Sequence, residues 1–182
     1  MLIKNGQHDF GLITILLHWL IAAMTFGLFA LGLWMTQLGY YDDWYQKAPT
    51  LHEGIGILFL IILLVRIIWR WVNPLPQPIP TLKRWEKLGS HLVHSMLNIL
   101  LLVIAVSGYL VITAKGEPVQ VFDLFSVPAT LSGFSNQEDI AGEFHLLVAW
   151  IMMVLAVGHA LAAFKHHFIN KDATLKRIMG MK

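Results

Sequence analysis

Four long apolar runs stand out along the chain: Leu12–Met35, Leu51–Val72, Leu92–Ile112 and Phe144–Phe164. At 24, 22, 21 and 21 residues, each meets the roughly 20-residue span that a ~30 Å hydrocarbon layer requires at about 1.5 Å rise per residue. Each is predicted to be a transmembrane helix, the helical elements covering about 12–35, 51–72, 90–113 and 143–165 of a single domain, 1–182. A barrel would show shorter, alternating segments, and long apolar runs satisfy their own backbone bonds in lipid only as helices. The first run exceeds the apolar region of a secretory signal and no A-x-A-like site follows it, so it is expected to be retained.

The polar connections differ in character. Between helices 2 and 3, Asn73 to Gly89 holds Pro74, Pro76, Pro78 and Pro80 at alternate positions, which stops helix 2 and predicts a stiff extended strap. Between helices 3 and 4, Thr113 to Gly142 spans 30 residues and predicts a structured cap rather than a tight turn. No internal repeat or low-complexity tract is present.

Charge orients this pattern. The side bearing both termini carries 11 Lys and Arg against three acidic residues, and the other side carries Lys47 and Lys115 against eight, giving +8 and −6. By the positive-inside rule both termini are expected in the cytoplasm. Composition then excludes whole classes: the chain is 57% hydrophobic and 13% charged with a mean hydropathy of +0.64, against about 25% charged in soluble domains. With no cysteine, disulfides, thiolate zinc sites, cysteine-held clusters and covalently attached c-type haem are all excluded. Nothing in the chain suggests a nucleic-acid partner.

Nine histidines remain as candidate chemistry. His18 in helix 1 and His159 in helix 4 fall at similar depth near the cytoplasmic side, while His52 and His145 are level near the outer side. His145 and His159 lie 14 residues apart, which is about 40° short of four turns and a rise of about 21 Å. One helix face therefore presents two imidazoles at two depths. Neutral imidazole is a haem axial ligand, and bundles build such sites from facing helices. Two stacked b-type haems, an inner one on His18 and His159 and an outer one on His52 and His145, satisfy every depth constraint.

Blander readings stay open beside this one. His52 and His145 also suit ordinary headgroup-level polar residues, whereas a buried ionisable residue such as His18 or His159 is costly and points to function. His94 in helix 3 is a rival for the inner site, with His91 beside it, although interfacial solvation is the favoured reading of both. Ala22, Ala23, Gly27, Gly54, Gly56 and Gly158 either leave room for a flat porphyrin or serve close helix packing. Arg66 and Arg70 either pair with haem propionates or snorkel to anionic lipid. His166, followed by His167, Lys171 and Asp172, is either the vicinity of a quinone head or a solvated basic tail. A haem-free transporter or metal-binding protein using the same histidines is the alternative of a different class. It is disfavoured because helices 1, 2 and 4 carry no deep carboxylate, Glu53 and Glu143 lying at the outer edge.

Several stretches resemble the bacterial cytochrome b561 family: GLITILLHWLIAAM around His18, APTLHEGIGILFLIILLVRIIWR around His52, VSGYLVITAKGEPVQVFDLF and VPATL after helix 3, and GEFHLLVAWIMMVLAVGHALAAFKHHFINKDATLKRIMG at the end. The likeness covers essentially the whole chain. It implies an all-α integral membrane four-helix bundle holding two b-type haems, both termini cytoplasmic, in a bacterial inner membrane. The family's axial ligands carry over onto His18, His52, His145 and His159, while His91 matches a non-ligand histidine and His94 matches no ligand position. It also implies electron transfer, with a quinone as acceptor and either superoxide or a periplasmic redox protein as donor, or a place as cytochrome subunit in a larger complex. An outer side at −6 is unfavourable for steering an anion, although Lys47 and Lys115 leave room for a local positive patch.

Overall fold

The computed structural model describes residues 2–181. Four long helices, α1 (Leu12–Met35), α2 (Lys47–Val72), α3 (Arg84–Ile112) and α4 (Gln137–Phe168), precede a short α5 (Thr174–Ile178). A 3-10 turn, Thr113–Lys115, and two strands, β1 (Val119–Val121) and β2 (Phe125–Val127), lie between α3 and α4. All four long helices are long and apolar enough to cross a membrane. They pack in ring order, α1 on α2, α2 on α3 and α3 on α4, and the ring closes through a narrower α1–α4 contact.

The helices outrun the apolar windows because their ends are polar but locally well formed. α3 begins at Arg84, six residues before the expected start, where the Lys83 backbone N–H donates to Glu86 Oε2 at 3.0 Å and caps the first turn. The proline strap is correspondingly shorter. α4 begins at Gln137 behind Asn136, which takes the left-handed conformation at φ 55°, and Glu138 and Asp139 favour the positive end of that helix. At its far end, Lys165 pairs with the well-buried Glu86 of α3 at 3.1 Å.

Between the termini end and the cap end lies a layer of Ile21, Phe59, Leu63, Leu101 and Met152, which draws on all four helices. Phe59 falls seven residues from His52, and Met152 falls seven residues from both His145 and His159. The apolar layer thus seals the middle of the bundle between the two histidine depths. Outward faces are lined by exposed Leu16, Ile61, Leu64, Ile99, Leu147 and Val154, as suits a surface solvated by lipid tails.

The cap expected from the long link is an antiparallel hairpin, with Val119 opposite Val127 and Val121 opposite Phe125. Phe122 and Asp123 form its turn at φ 48° and 58°. Val119 and Val121 bury against Ile57 of α2. The Phe122 ring lies so close to α2 that a Cβ at Gly54 would sit 2.9 Å from its Cζ. Tyr109 Oη donates to the Pro128 carbonyl at 2.7 Å and accepts from the Thr130 N–H at 2.8 Å, tying the cap to α3.

At the other end the proline strap is clipped between the N-terminal segment and α5. Asn5 Oδ1 accepts from the Gly11 N–H and from Thr14 Oγ1, both at 2.8 Å, and Trp69 Nε1 donates to Thr14 Oγ1 at 3.0 Å. The Gln77 N–H donates to the Gln7 carbonyl at 2.8 Å, and Arg177 Nη1 donates to the Gln77 carbonyl at 3.1 Å. Asp172 sets the turn between α4 and α5, accepting from His166 Nδ1 at 2.6 Å and from the Thr174 N–H at 2.8 Å. Burial alone would lift the Asp172 carboxyl, but the hydrogen bonds from Thr174 and His166 hold it below its ordinary value of 3.8.

A depressed folded-state pKa means that the Asp172 carboxylate contributes its stability in full above the ordinary value and loses it as pH falls through the lower, folded value. Asp172→Asn, which keeps a side-chain oxygen but removes the charge, is expected to loosen the tail by about 1–2 kcal/mol at neutral pH. Hydrogen exchange at Thr174 and Arg177 reads this directly. Protection unchanged at pH 7 would show that the charge is not what holds the turn.

Candidate functional site

The histidines gather at two levels, and α4 contributes to both. At the cap level, His52 of α2 faces His145 of α4 across the bundle, with ring centroids 6.3 Å apart and planes at 80°. Two in-line metal–imidazole bonds of about 2.0 Å each, plus roughly 1 Å from each ring nitrogen to its own centre, need centroids about 6 Å apart. Neighbouring helices supply bare backbone beside both rings. A Cβ at Gly32 of α1 would sit 3.3 Å from His52 Cε1, and one at Gly108 of α3 would sit 3.1 Å from His145 Cε1.

His145 Nδ1 lies 3.0 Å from Ser107 Oγ. His52 Nδ1 is buried with no hydrogen-bond partner, an uncommon state for a buried polar atom and one that marks the ring as held for something other than the protein.

At the termini level, the ring in contact with His159 is that of His94, with centroids 5.0 Å apart and planes at 69°. That separation is shorter than the span an intervening metal ion needs, so the contact is an edge-to-face packing of two rings. His18 lies within electrostatic reach of both, and its ring packs edge-on against Trp19 at 5.3 Å. Arg66 of α2 acts on His18, His94 and His159 alike, with Arg70 one turn further toward the surface. Among the described residues no carboxylate lies within ion-pair distance of either arginine.

Beyond this level, His166 is engaged with Asp172, Lys171 is exposed at φ 54°, and His167 Nδ1 is buried without a partner. Lys47 and Lys115 at the cap end do not form a positive patch. Lys115 pairs with Glu138 at 3.2 Å and Lys47 lies over the Trp44 ring at 5.9 Å.

The glycines divide by what surrounds them. Gly54 serves close packing, against Phe122, whereas a Cβ at Gly27, Gly56 or Gly158 would meet nothing within 4 Å. Ser107 hydrogen-bonds a histidine ring, Gly32 and Gly108 leave little room for a side chain beside one, and none of the three is singled out by the apolar pattern. Ser107-Gly108, a polar residue beside a glycine deep in an apolar run, is the signal that points to them.

Residues 9–181 match the family described as prokaryotic cytochrome b561. The chain belongs to that family. Cytochrome b561 homolog 2 of Escherichia coli is 47% identical over 99% of this chain and 96% of its own length. Cytochrome b561 homolog 1 of the same organism is 27% identical over 95% of this chain and 98% of its own length, and the probable superoxide oxidase CybB of Yersinia pestis is 28% identical over 78% of each. The protein is thus a multi-pass bacterial membrane cytochrome of the b561 family, an electron-transfer protein for which the family implies b-type haem.

The residues of this cytochrome b561 fit such a group. Imidazoles without competing thiolates, a facing pair spaced for axial ligation, an orphaned ring nitrogen and helix faces cleared by glycine all suit haem b. The carriage of a free divalent ion fits less well, since no cluster of three or more His, Cys, Asp or Glu converges among the described residues.

Proposed function

We propose that this cytochrome b561 holds two b-type haems, one at each histidine level, and passes electrons from a donor at the outer face to the quinone pool. The observation that carries the reading is the facing of His52 and His145 at ligation distance, with a second set of histidines about 21 Å deeper along α4. These histidines would hold haem b, which would supply one-electron iron chemistry there.

The 11-to-2 distribution of Lys and Arg supports a reading in which both termini face the cytoplasm of a bacterial inner membrane. His52 and His145 then form the outer site, and His18 and His159 the inner one. Arg66 lies beside the inner pair without a counter-charge, an arrangement that a haem propionate would neutralise. Arg70, one turn closer to the cytoplasm, extends the same positive strip.

A quinone takes up protons as well as electrons, and the cytoplasmic rim can supply them. Asp172, accepting from His166 Nδ1 at 2.6 Å, fixes the ring and leaves Nε2 free for proton exchange with a quinone oxygen near Lys171. The acidic outer face, with Lys115 already paired to Glu138, favours a periplasmic redox protein or a quinol over superoxide as donor. The superoxide oxidase among the relatives is 28% identical over 78% of this chain, against 47% over 99% for cytochrome b561 homolog 2.

The test is anaerobic mixing of the chemically reduced, haem-loaded protein with a short-chain ubiquinone. The reduced haem bands are expected to bleach with one quinone consumed per two electrons, and His166→Gln to slow the step by about 10-fold or more. Bands that persist in the presence of excess quinone would remove the quinone from the account.

A further inference from the structure

Ser107 is a buried polar residue in the apolar run of α3, 4% exposed, and electron relay between two haems does not by itself call for it. Its hydroxyl lies 3.0 Å from the Ile104 carbonyl, to which it donates, and 3.0 Å from His145 Nδ1. A serine hydroxyl has one proton to give. Spent on the carbonyl three residues back, that proton leaves only lone pairs facing the imidazole. In that arrangement His145 Nδ1 carries the hydrogen and donates it toward the hydroxyl oxygen, with the Ile104 carbonyl as a further acceptor beside it, and Nε2 is left as a bare lone pair.

The neighbouring residue reinforces the geometry. A Cβ at Gly108 would stand 3.1 Å from His145 Cε1, so α3 approaches the ring closely enough to hold its plane. The four ring positions are not equivalent in this respect. His52 Nδ1 has no partner, and among the described residues the Ser107 contact is the one side-chain hydrogen bond made by any of His18, His52, His145 and His159.

We propose that Ser107 is a positioning residue for the outer site: through Nδ1 of His145 it fixes the ligand-competent tautomer, strengthens Nε2 as a donor and lowers the reduction potential of the haem at that level. The proposal rests on the reading that His145 ligates the outer haem. An imidazole whose Nδ1–H is hydrogen-bonded to an acceptor is the more basic ligand, and a more basic ligand favours the ferric over the ferrous ion. The hydroxyl is itself polarised by donating to Ile104, which makes its oxygen the better acceptor. An outer haem held at lower potential passes its electron inward more readily, so the serine biases the relay toward the cytoplasmic side.

Redox titration of the full-length, haem-loaded protein tests this, with Ser107→Ala, Ser107→Thr and His145→Ala compared. Ser107→Ala is expected to keep both haems and to raise the potential of one of them by about ten-fold in its redox equilibrium constant, about 59 mV for one electron. Ser107→Thr, which retains the hydroxyl, is expected to restore the parent value. The shift belongs to the haem that His145→Ala removes, and the low-spin EPR signal of that haem should move with it. If Ser107→Ala does not accumulate, the nearly isosteric Ser107→Cys, a weak acceptor, gives the same readout with a smaller upward shift. Potentials that are unchanged or lowered in both variants overturn the proposal and leave the relay standing. A His145→Ala protein that retains both haems overturns the outer site itself.

Discussion

A His159→Ala protein is expected to purify with one haem per chain where two are expected of the parent, and the haem expected to be lost is the inner one. His159 is the α4 residue at the termini level, with the His94 ring packed against it and with Arg66 and His18 within electrostatic reach. No other α4 histidine lies at that depth within the span, since His145 is about 21 Å away and His166 is engaged with Asp172 at the rim. The partner across the bundle is decided by the companion variants. His18→Ala is expected to lose the same haem, and His94→Ala to retain both, because the 5.0 Å separation of the His94 and His159 rings is too short to admit a metal ion between them. Haem quantified per chain reads all three. Two haems in His18→Ala together with one in His94→Ala would transfer the inner ligand from α1 to α3.

His52→Ala is expected to have the converse effect, removing the outer haem and leaving the inner haem with its spectrum intact. The two levels are separated by the Ile21, Phe59, Leu63, Leu101 and Met152 layer, and perturbations that far apart with no shared partner usually act independently. Removal of the ring leaves Gly32 facing empty space at the cap level and does not touch Arg66, His18 or His159. Loss of both haems from His52→Ala would mean that haem binding at the two levels is cooperative and that the apolar layer does not isolate them.

Much of this arrangement is legible along the chain because lipid simplifies the physics. Apolar runs of membrane-spanning length become helices, and depth follows from residue number at a fixed rise, so the level pairing of His52 with His145 is available before any coordinate. Azimuth is not. His94 and His18 share a depth, and only packing reveals that His94 is the ring laid against His159. The helix ends are hidden for a related reason. Hydropathy detects the segment inside the hydrocarbon, whereas α3 and α4 are extended by a Glu86 cap and an acidic first turn that lie outside it. The hairpin escapes notice because its strands are three residues long and its turn places Phe122 and Asp123 at positive φ without an Asn-Gly or Asp-Gly pair to announce it. The serine and glycines that stand beside the histidine rings are small residues in an apolar run, and their meaning depends on what stands opposite them.

The central claim is that one chain carries two bis-histidine b-type haems at two depths. A reduced-minus-oxidised visible spectrum of the detergent-purified protein, with haem quantified per chain by pyridine haemochrome, tests it most directly. About two low-spin b-type haems per chain is the result expected from two imidazole pairs. One haem or none, under expression conditions that load other cytochromes fully, would contradict it.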